Sequence, residues 1–289
     1  MLARQKARRF PLAVRGPAYP AGVNPHDGDG IRIVQVTDMH LYRDAGRTLL
    51  GVDTQRSFEE VLDRAVRERG RPDLVLATGD LVHDRSRAGY TRLRGVLAGL
   101  GVPFLWLPGN HDDPECMRAV LADAGASDPR SVRVGDWQIV LLDSTVEGSD
   151  AGRIAAAGLR DLDEDLARFP EHHALVCLHH PPVPIGSRWM DAIGLQNPAE
   201  LFAVLDRHPQ VRAVVCGHIH QAFDTHRGAV RILGSPSTCF QFKPRSEEFA
   251  VDRAAPGYRW LTLGADGALE TGVGRIEDYS AVDIASTGY

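Results

Sequence analysis

Residues 102–112 read VPFLWLPGNHD, an apolar run of strand length that gives way at once to an amide, an imidazole and a carboxylate. Alone, Gly-Asn-His-Asp is ordinary turn chemistry, because Gly, Asn and Asp tolerate unusual backbone angles. Its weight comes from what surrounds it. Upstream, Tyr90, Leu93, Val96, Leu97 and Leu100 mark one face of a helix that Gly101 and Pro103 stop. Before that, LVLAT (Leu74–Thr78) is a short buried strand. It follows a helix whose face is Phe58, Val61, Leu62, Ala65 and Val66 and which RGRPD ends. The first strand is IRIVQVT (Ile31–Thr37), and a helix through Met117–Ala124 is expected after Gly-Asn-His-Asp. The order β-α-β-α-β-α implies right-handed crossovers and parallel strands.

The middle of the chain changes character. SVRVGDWQIVLLDS reads as two antiparallel strands about a Gly-Asp turn, and YRWLTLGADGALETGVGRI reads as a hairpin about Asp266-Gly267. Leu159, Leu162, Leu166 and Phe169 make another helix face. ALVCL (Ala174–Leu178) and VRAVVC (Val211–Cys216) are further buried strands, with a helix near Pro198–Arg207 between them. Mixed strand directions and about ten strands predict an α/β fold of two packed sheets with helices outside. Residues 31–289 are expected to form a single domain behind a flexible extension, residues 1–30.

The bulk numbers fit that picture. The 289 residues are 43% hydrophobic and 25% charged, as in an ordinary globule. A net charge of −5 argues against a nucleic-acid or anionic-membrane partner, either of which favours a basic face. No apolar run approaches the roughly 20 residues that span a bilayer. The basic opening, MLARQKARRFPLAVRGPAYPAG, is broken by Arg and Pro and lacks the apolar core of about 7–15 residues that a signal peptide needs. The scattered Cys116, Cys177, Cys216 and Cys239 form no C-x-x-C pair, which predicts structural thiols in a cytoplasmic protein.

Every buried strand ends in a hard donor. The first leads to Asp38-Met39-His40, the second to Gly79-Asp80, and the third to Gly109-Asn110-His111-Asp112. The later two lead to His179-His180 and Gly217-His218-Ile219-His220. Sites in α/β sheets form outside the carboxyl ends of strands, so these remote segments are expected to meet. In extended backbone, residues two apart point the same way, which would aim Asp38 with His40 and His218 with His220. Asp, His and Asn donors without thiolate favour Mn, Fe or Zn in an open catalytic centre. Asp38, His40, Asp80, Asn110, His179, His218 and His220 are too many for one ion. They suit two ions about 3.5–4 Å apart, with Asp80 as the carboxylate bridge. Taken singly, Gly-Asp is a turn and His-x-His is an ordinary pair; five such endings in one chain are not.

As a set these motifs resemble the calcineurin-like metallophosphoesterases, whose D-x-H, G-D, G-N-H-D/E, H and G-H-x-H pattern runs here from about residue 31 to 222. Longer runs are similar to the bacterial class III 3′,5′-cyclic AMP phosphodiesterases: QVTDMHLY, LLGVDT, LVLATGDLVHD, WLPGNHDD, LLDS, LHHPPVPIGSRWMD, CGHIHQ and PSTCFQFKP. The resemblance implies a four-layer α/β/β/α sandwich with two mixed β-sheets, the metallo-dependent phosphatase fold. It implies one ion on Asp38, His40, Asp80 and His220 and another on Asp80, Asn110, His179 and His218. His179 is favoured over His180 as the first residue past its strand. His40, Asp80, Asn110, His111 and His220 are expected against the substrate phosphate. Iron and manganese are the expected metals, with zinc as the alternative.

The implied reaction is hydrolysis of 3′,5′-cyclic AMP to 5′-AMP by a hydroxide that bridges the two ions. Asp80 and His111 are the catalytic candidates. His111, next to ligand Asn110, would hydrogen-bond a phosphoryl oxygen or protonate the leaving oxygen, with Asp112 as a candidate to orient it or as a turn or cap residue. His83 reads as solvated loop. Trp189 and Phe240 are candidates to stack on a purine, and Ser237, Thr238 and Gln241 to hydrogen-bond it, although packing of their own loops explains them equally well. The expected partner is a small cyclic nucleotide, without nucleic acid or membrane, and a homodimer stays open. The alternatives are another small diester (2′,3′-cyclic nucleotides, cyclic GMP, glycerophosphodiesters) and a metal-free binding scaffold.

Overall fold

A computed structural model describes residues 30–122, 131–277 and 282–288. The amino-terminal extension, apart from Gly30, lies outside the described residues, as do residues 123 and 124 at the expected end of the third helix. The first half runs β1 (Ile31–Val36), β2 (Thr48–Leu49), β3 (Val52–Asp53), α1 (Thr54–Arg69), β4 (Leu74–Thr78), α2 (Arg87–Gly99), β5 (Phe104–Leu107), α3 (Pro114–Leu121), β6 (Ser131–Val134) and β7 (Trp137–Leu141). It continues α4 (Ala156–Arg168), β8 (His173–Cys177), α5 (Arg188–Asp191), α6 (Pro198–Leu205), β9 (Val211–Cys216), β10 (Phe223–Arg227) and β11 (Val230–Gly234). β12 (Gln241–Phe242), β13 (Val251–Asp252), β14 (Gly257–Leu263) and β15 (Leu269–Arg275) complete the chain.

Two mixed sheets form, one in the order β15-β14-β1-β4-β5 and the other β10-β11-β9-β8-β7-β6. β1, β4 and β5 are parallel, as are β7, β8, β9 and β11. The predicted β6–β7 and β14–β15 pairs are antiparallel.

The period of two in the strands builds the layers. Ile31 and Ile33 of β1 and Leu74 and Leu76 of β4 face a core that they share with Leu175 and Cys177 of β8 and Ala213 and Val215 of β9. The alternate residues, Val34, Val36, Val75 and Ala77, turn outward to Phe58 of α1, Leu93 of α2 and Met117 of α3. Ala174, Val176 and Val214 face Leu162 of α4 and Leu201 of α6. Helix, sheet, sheet, helix is thus the four-layer sandwich. No helix among the described residues is long and apolar enough to cross a membrane. The four cysteines are free, and all but Cys116 are buried.

Polar groups also bind the two sheets. Gln35 of β1 donates to Thr78 Oγ1 and to the carbonyl of Cys216, and accepts from Ser235. The buried Arg259 of β14 donates to the carbonyls of Gly234 and Phe223 in the other sheet. These bonds sit beside the carboxyl ends of β4 and β9, where the donors emerge.

Candidate metal centre

The loops that follow β1 and β4 continue the parallel pairing of their strands. Asp38 N–H donates to Gly79 O at 3.0 Å, His40 N–H to Asp80 O at 2.9 Å, and Leu41 N–H to Leu81 O at 3.0 Å. From the second sheet, His218 N–H donates to both carboxylate oxygens of Asp38, at 3.1 and 3.2 Å. Gly217 N–H donates to His179 O. The strand ends therefore meet.

The aiming device differs from the extended backbone expected for D-x-H and H-x-H. Asp38 (φ 53°), His40 (47°), Asp80 (52°), His218 (65°) and His220 (47°) are left-handed. They are five of the eight non-glycine residues with positive φ among those described. Such backbone costs about 1–3 kcal/mol per residue and gathers where the surrounding structure imposes it. Glycine provides clearance: a Cβ on Gly109 would lie 2.1 Å from Asp80 Oδ1, and one on Gly217 would lie 2.1 Å from Thr37 Oγ1 and 3.0 Å from Asp38 Oδ2.

The side chains converge. Asp80 Oδ2 is 3.4 Å from His179 Nε2 and 3.9 Å from His40 Nε2. Asp38 Oδ1 is 3.4 Å from His220 Nε2 and 3.9 Å from His179 Nε2. His40 and His220 bring their Nε2 atoms within 3.4 Å of each other. The ligand atoms of Asp38, His40 and His220 lie within 4.8 Å of one another, as do those of Asp38, Asp80 and His179. His218 joins through its ring, 5.1 Å from that of His179. Asn110 precedes His111, whose N–H donates to Asp80 Oδ1 at 2.9 Å.

Outer hydrogen bonds set the inward nitrogens. His179 Nδ1 meets Thr78 O and His220 Nδ1 meets Phe240 O, both at 2.9 Å. A backbone carbonyl only accepts, so each Nδ1 carries a proton and each Nε2 faces the cluster. His180 stands in the same group of rings, but Ser144 Oγ at 2.8 Å and Asp150 O at 3.1 Å engage both of its nitrogens.

Burial and charge act together here. Burial pushes His180 down to about 3, with the neighbouring His179 adding to the effect. Burial also lowers His179, but the carboxylates of Asp80 and Asp38 outweigh it and raise the ring to about 9. Burial raises the Asp80 carboxyl, yet the charges of His179 and His111 hold it well below its usual range.

Asp112 does not orient His111. Its carboxylate accepts the N–H groups of Leu81, Val82 and Gly109 and the phenol of Tyr90, so it stitches the Gly79-Asp80 loop to the Gly109-Asn110 loop. The helix cap is the next residue, Asp113, which accepts from Glu115 and Cys116. Phe240, Ser237, Thr238 and Gln241 are buried. Phe240 packs on His40 and His220, and Trp189 meets Phe242 and Phe249 edge-on, while Trp189 Nε1, Thr238 Oγ1 and Gln241 Oε1 are buried without a hydrogen-bond partner. His83, read as solvated loop, is half-buried and lies 3.2 Å, Nδ1 to Nδ1, from His40. No local motif signals that contact, because it arises from the pairing of two loops.

Asn110 Oδ1, His179 Nε2 and His218 Nε2 are buried without a hydrogen-bond partner. Buried polar atoms are rarely left so. Converging lone pairs of O and N, flanked by carboxylates, are the donor set of a hard or borderline divalent cation, and the residues present fit such ions.

A phosphoester-cleaving metalloenzyme is the class of protein that this sandwich and this centre define. Residues 31–222 match the family model described as calcineurin-like phosphoesterase, and the chain belongs to that family. It is 46% identical over 266 residues to the 3′,5′-cyclic adenosine monophosphate phosphodiesterase CpdA of Pseudomonas aeruginosa, covering 92% of this chain and 97% of that protein. The Escherichia coli K12 protein of the same name is 44% identical over 261 residues, 90% of this chain and 95% of that one. Among solved structures, a dimetal phosphatase from Danio rerio superposes with a TM-score of 0.59 at 16% identity, covering 88% of this chain and 99% of that one. That likeness is one of fold.

Proposed function

We propose that the chain is a dinuclear-metal phosphodiesterase that hydrolyses 3′,5′-cyclic AMP to 5′-AMP in the cytoplasm. One ion would be held by Asp38, His40, Asp80 and His220, and the other by Asp80, Asn110, His179 and His218. The observation that carries the reading is the meeting of donors from five strand ends, with Asn110 Oδ1 and His218 Nε2 buried and without a hydrogen-bond partner. The cyclic-nucleotide substrate follows from the relatives' names at 46% and 44% identity. The catalytic domain is taken as residues 31–289, since β14 and β15 complete the sheet that β1 opens.

When bound, two divalent ions supply Lewis acidity toward the phosphoryl oxygens and a nucleophile at neutral pH. The protein's own task is to hold charge and geometry ready. Asp80 presents Oδ2 toward the rings of His40 and His179 from one carboxylate, the geometry a shared ligand needs. His111 stands outside both proposed ligand sets, although its ring joins those of His40 and His83 in a group whose ligand atoms lie within 4.8 Å of one another. Its N–H is tied to Asp80, its carbonyl accepts from Arg85, and its ring lies 5.0 Å from that of His40. From there an imidazolium N–H donates to a phosphoryl oxygen and passes its proton to the departing 3′ oxygen. Water adds to phosphorus, the P–O3′ bond breaks, and the 5′ ester remains.

The test is to load purified protein with Mn2+ or Fe2+, supply cyclic AMP and identify the product. The expected product is 5′-AMP, lost on chelation. Release of 3′-AMP, or turnover undiminished after thorough chelation, would contradict the proposal. Cleavage of glycerophosphodiesters without action on cyclic AMP would move it to another diester.

A further inference from the structure

The two-ion reading employs seven donors and His111, and it leaves His83 unused. The pairing that aligns Asp38 with Gly79 continues to His83, whose N–H donates to Leu41 O at 2.8 Å. This carries the His83 ring beside His40, Nδ1 to Nδ1 at 3.2 Å, and flat against His111, with centroids 4.6 Å apart and planes 20° apart.

Two imidazole nitrogens at that distance share one proton, so one donates and the other accepts. The other nitrogen of His40, Nε2, lies 3.4 Å from His220 Nε2 and 3.9 Å from Asp80 Oδ2. A lone pair on Nε2 directed at a cation leaves the proton of the neutral ring on Nδ1. His40 is then the donor, and His83 accepts through Nδ1 while carrying its own proton on Nε2. His179 and His220 are oriented by the carbonyls of Thr78 and Phe240. At His40 a side chain takes the place of that carbonyl, which makes its orientation open to mutation.

We propose that His83 is a positioning residue for His40, accepting from His40 Nδ1–H and so fixing the ring orientation and tautomer with which His40 grips its ion. The inference rests on the two-ion reading. It gives the His83 position a role in metal affinity without counting His83 among the seven donors, although the ligand atoms of His40, His83 and His111 also lie within 4.8 Å of one another.

The test measures Mn2+ binding to the metal-free full chain by competition with a fluorescent chelator, for wild type, His83→Asn and His83→Phe. Asn places an acceptor oxygen near the position of Nδ1, whereas Phe keeps the ring stack and removes the acceptor. Loss of an outer partner typically weakens metal binding about 10–100-fold. His83→Phe is expected to show that loss at one of the two sites, and His83→Asn to recover most of it. Metal-free thermal melts should match wild type for both; if His83→Phe does not fold, His83→Ala takes its place with the same expectation. Wild-type affinity in the acceptor-free variant, or an equal loss in His83→Asn, would overturn the inference. Wild-type protein that binds fewer than two ions would overturn the two-ion reading and the inference with it.

Discussion

His111 and Asp112 are neighbours in one turn with separate work. The backbone of His111 is anchored to Asp80 and Arg85, so its ring can be removed without dismantling the donors. His111→Ala is expected to keep both ions, counted by elemental analysis, and to lose about 10²–10⁴-fold in kcat, the usual worth of acid–base help. Loss of metal would mean that His111 is a ligand. Asp112 is a brace: burial first, then the Asp80 charge, pushes its carboxyl up to about 6, against the pull of three backbone N–H donors. Asp112→Asn sets an NH2 group against those donors and is expected to cost about 1–3 kcal/mol of stability, read by urea unfolding. At this scale the donors were legible as residue types at strand ends. The left-handed backbone that aims them was not, because nothing local in Asp-x-His separates an extended pair from two left-handed residues imposed by neighbouring loops.

The helices are held to the sheets by burial and to each other by a few charges. Asp163 of α4 accepts from Arg207 at 2.9 Å and His208 at 2.7 Å, just past the end of α6. Those hydrogen bonds hold its carboxyl below the usual range. A carboxylate whose native pKa is depressed contributes stability that is present above its unfolded value and is lost as pH falls through the native one. Asp163→Asn is therefore expected to melt below wild type at neutral pH, with the gap closing in acid. An equal gap at both pH values would show that charge is not the cause. The strands of both sheet centres are legible because LVLAT and the AVVC of VRAVVC are buried on both faces, leaving short apolar runs. β10, reading FDTHR with alternating exposure, carries too little apolar signal to mark a strand, so the β10–β11 pair is not legible in the sequence.

The whole molecule earns its centre from the opposition of two sheets. Asp38, Asp80 and Asn110 come from β1, β4 and β5, while His179, His218 and His220 come from β8 and β9. Neither sheet alone supplies either of the two proposed ligand sets. Asp80 stands where the sets touch, 3.4 Å from His179 in one and 3.9 Å from His40 in the other. The most direct measurement is the number of ions retained per chain by wild type and by Asp80→Ala after equilibration with Mn2+ and removal of excess. The account predicts about two for wild type, as a bridged pair requires, and loss of both in the variant. Two ions retained by Asp80→Ala would contradict it.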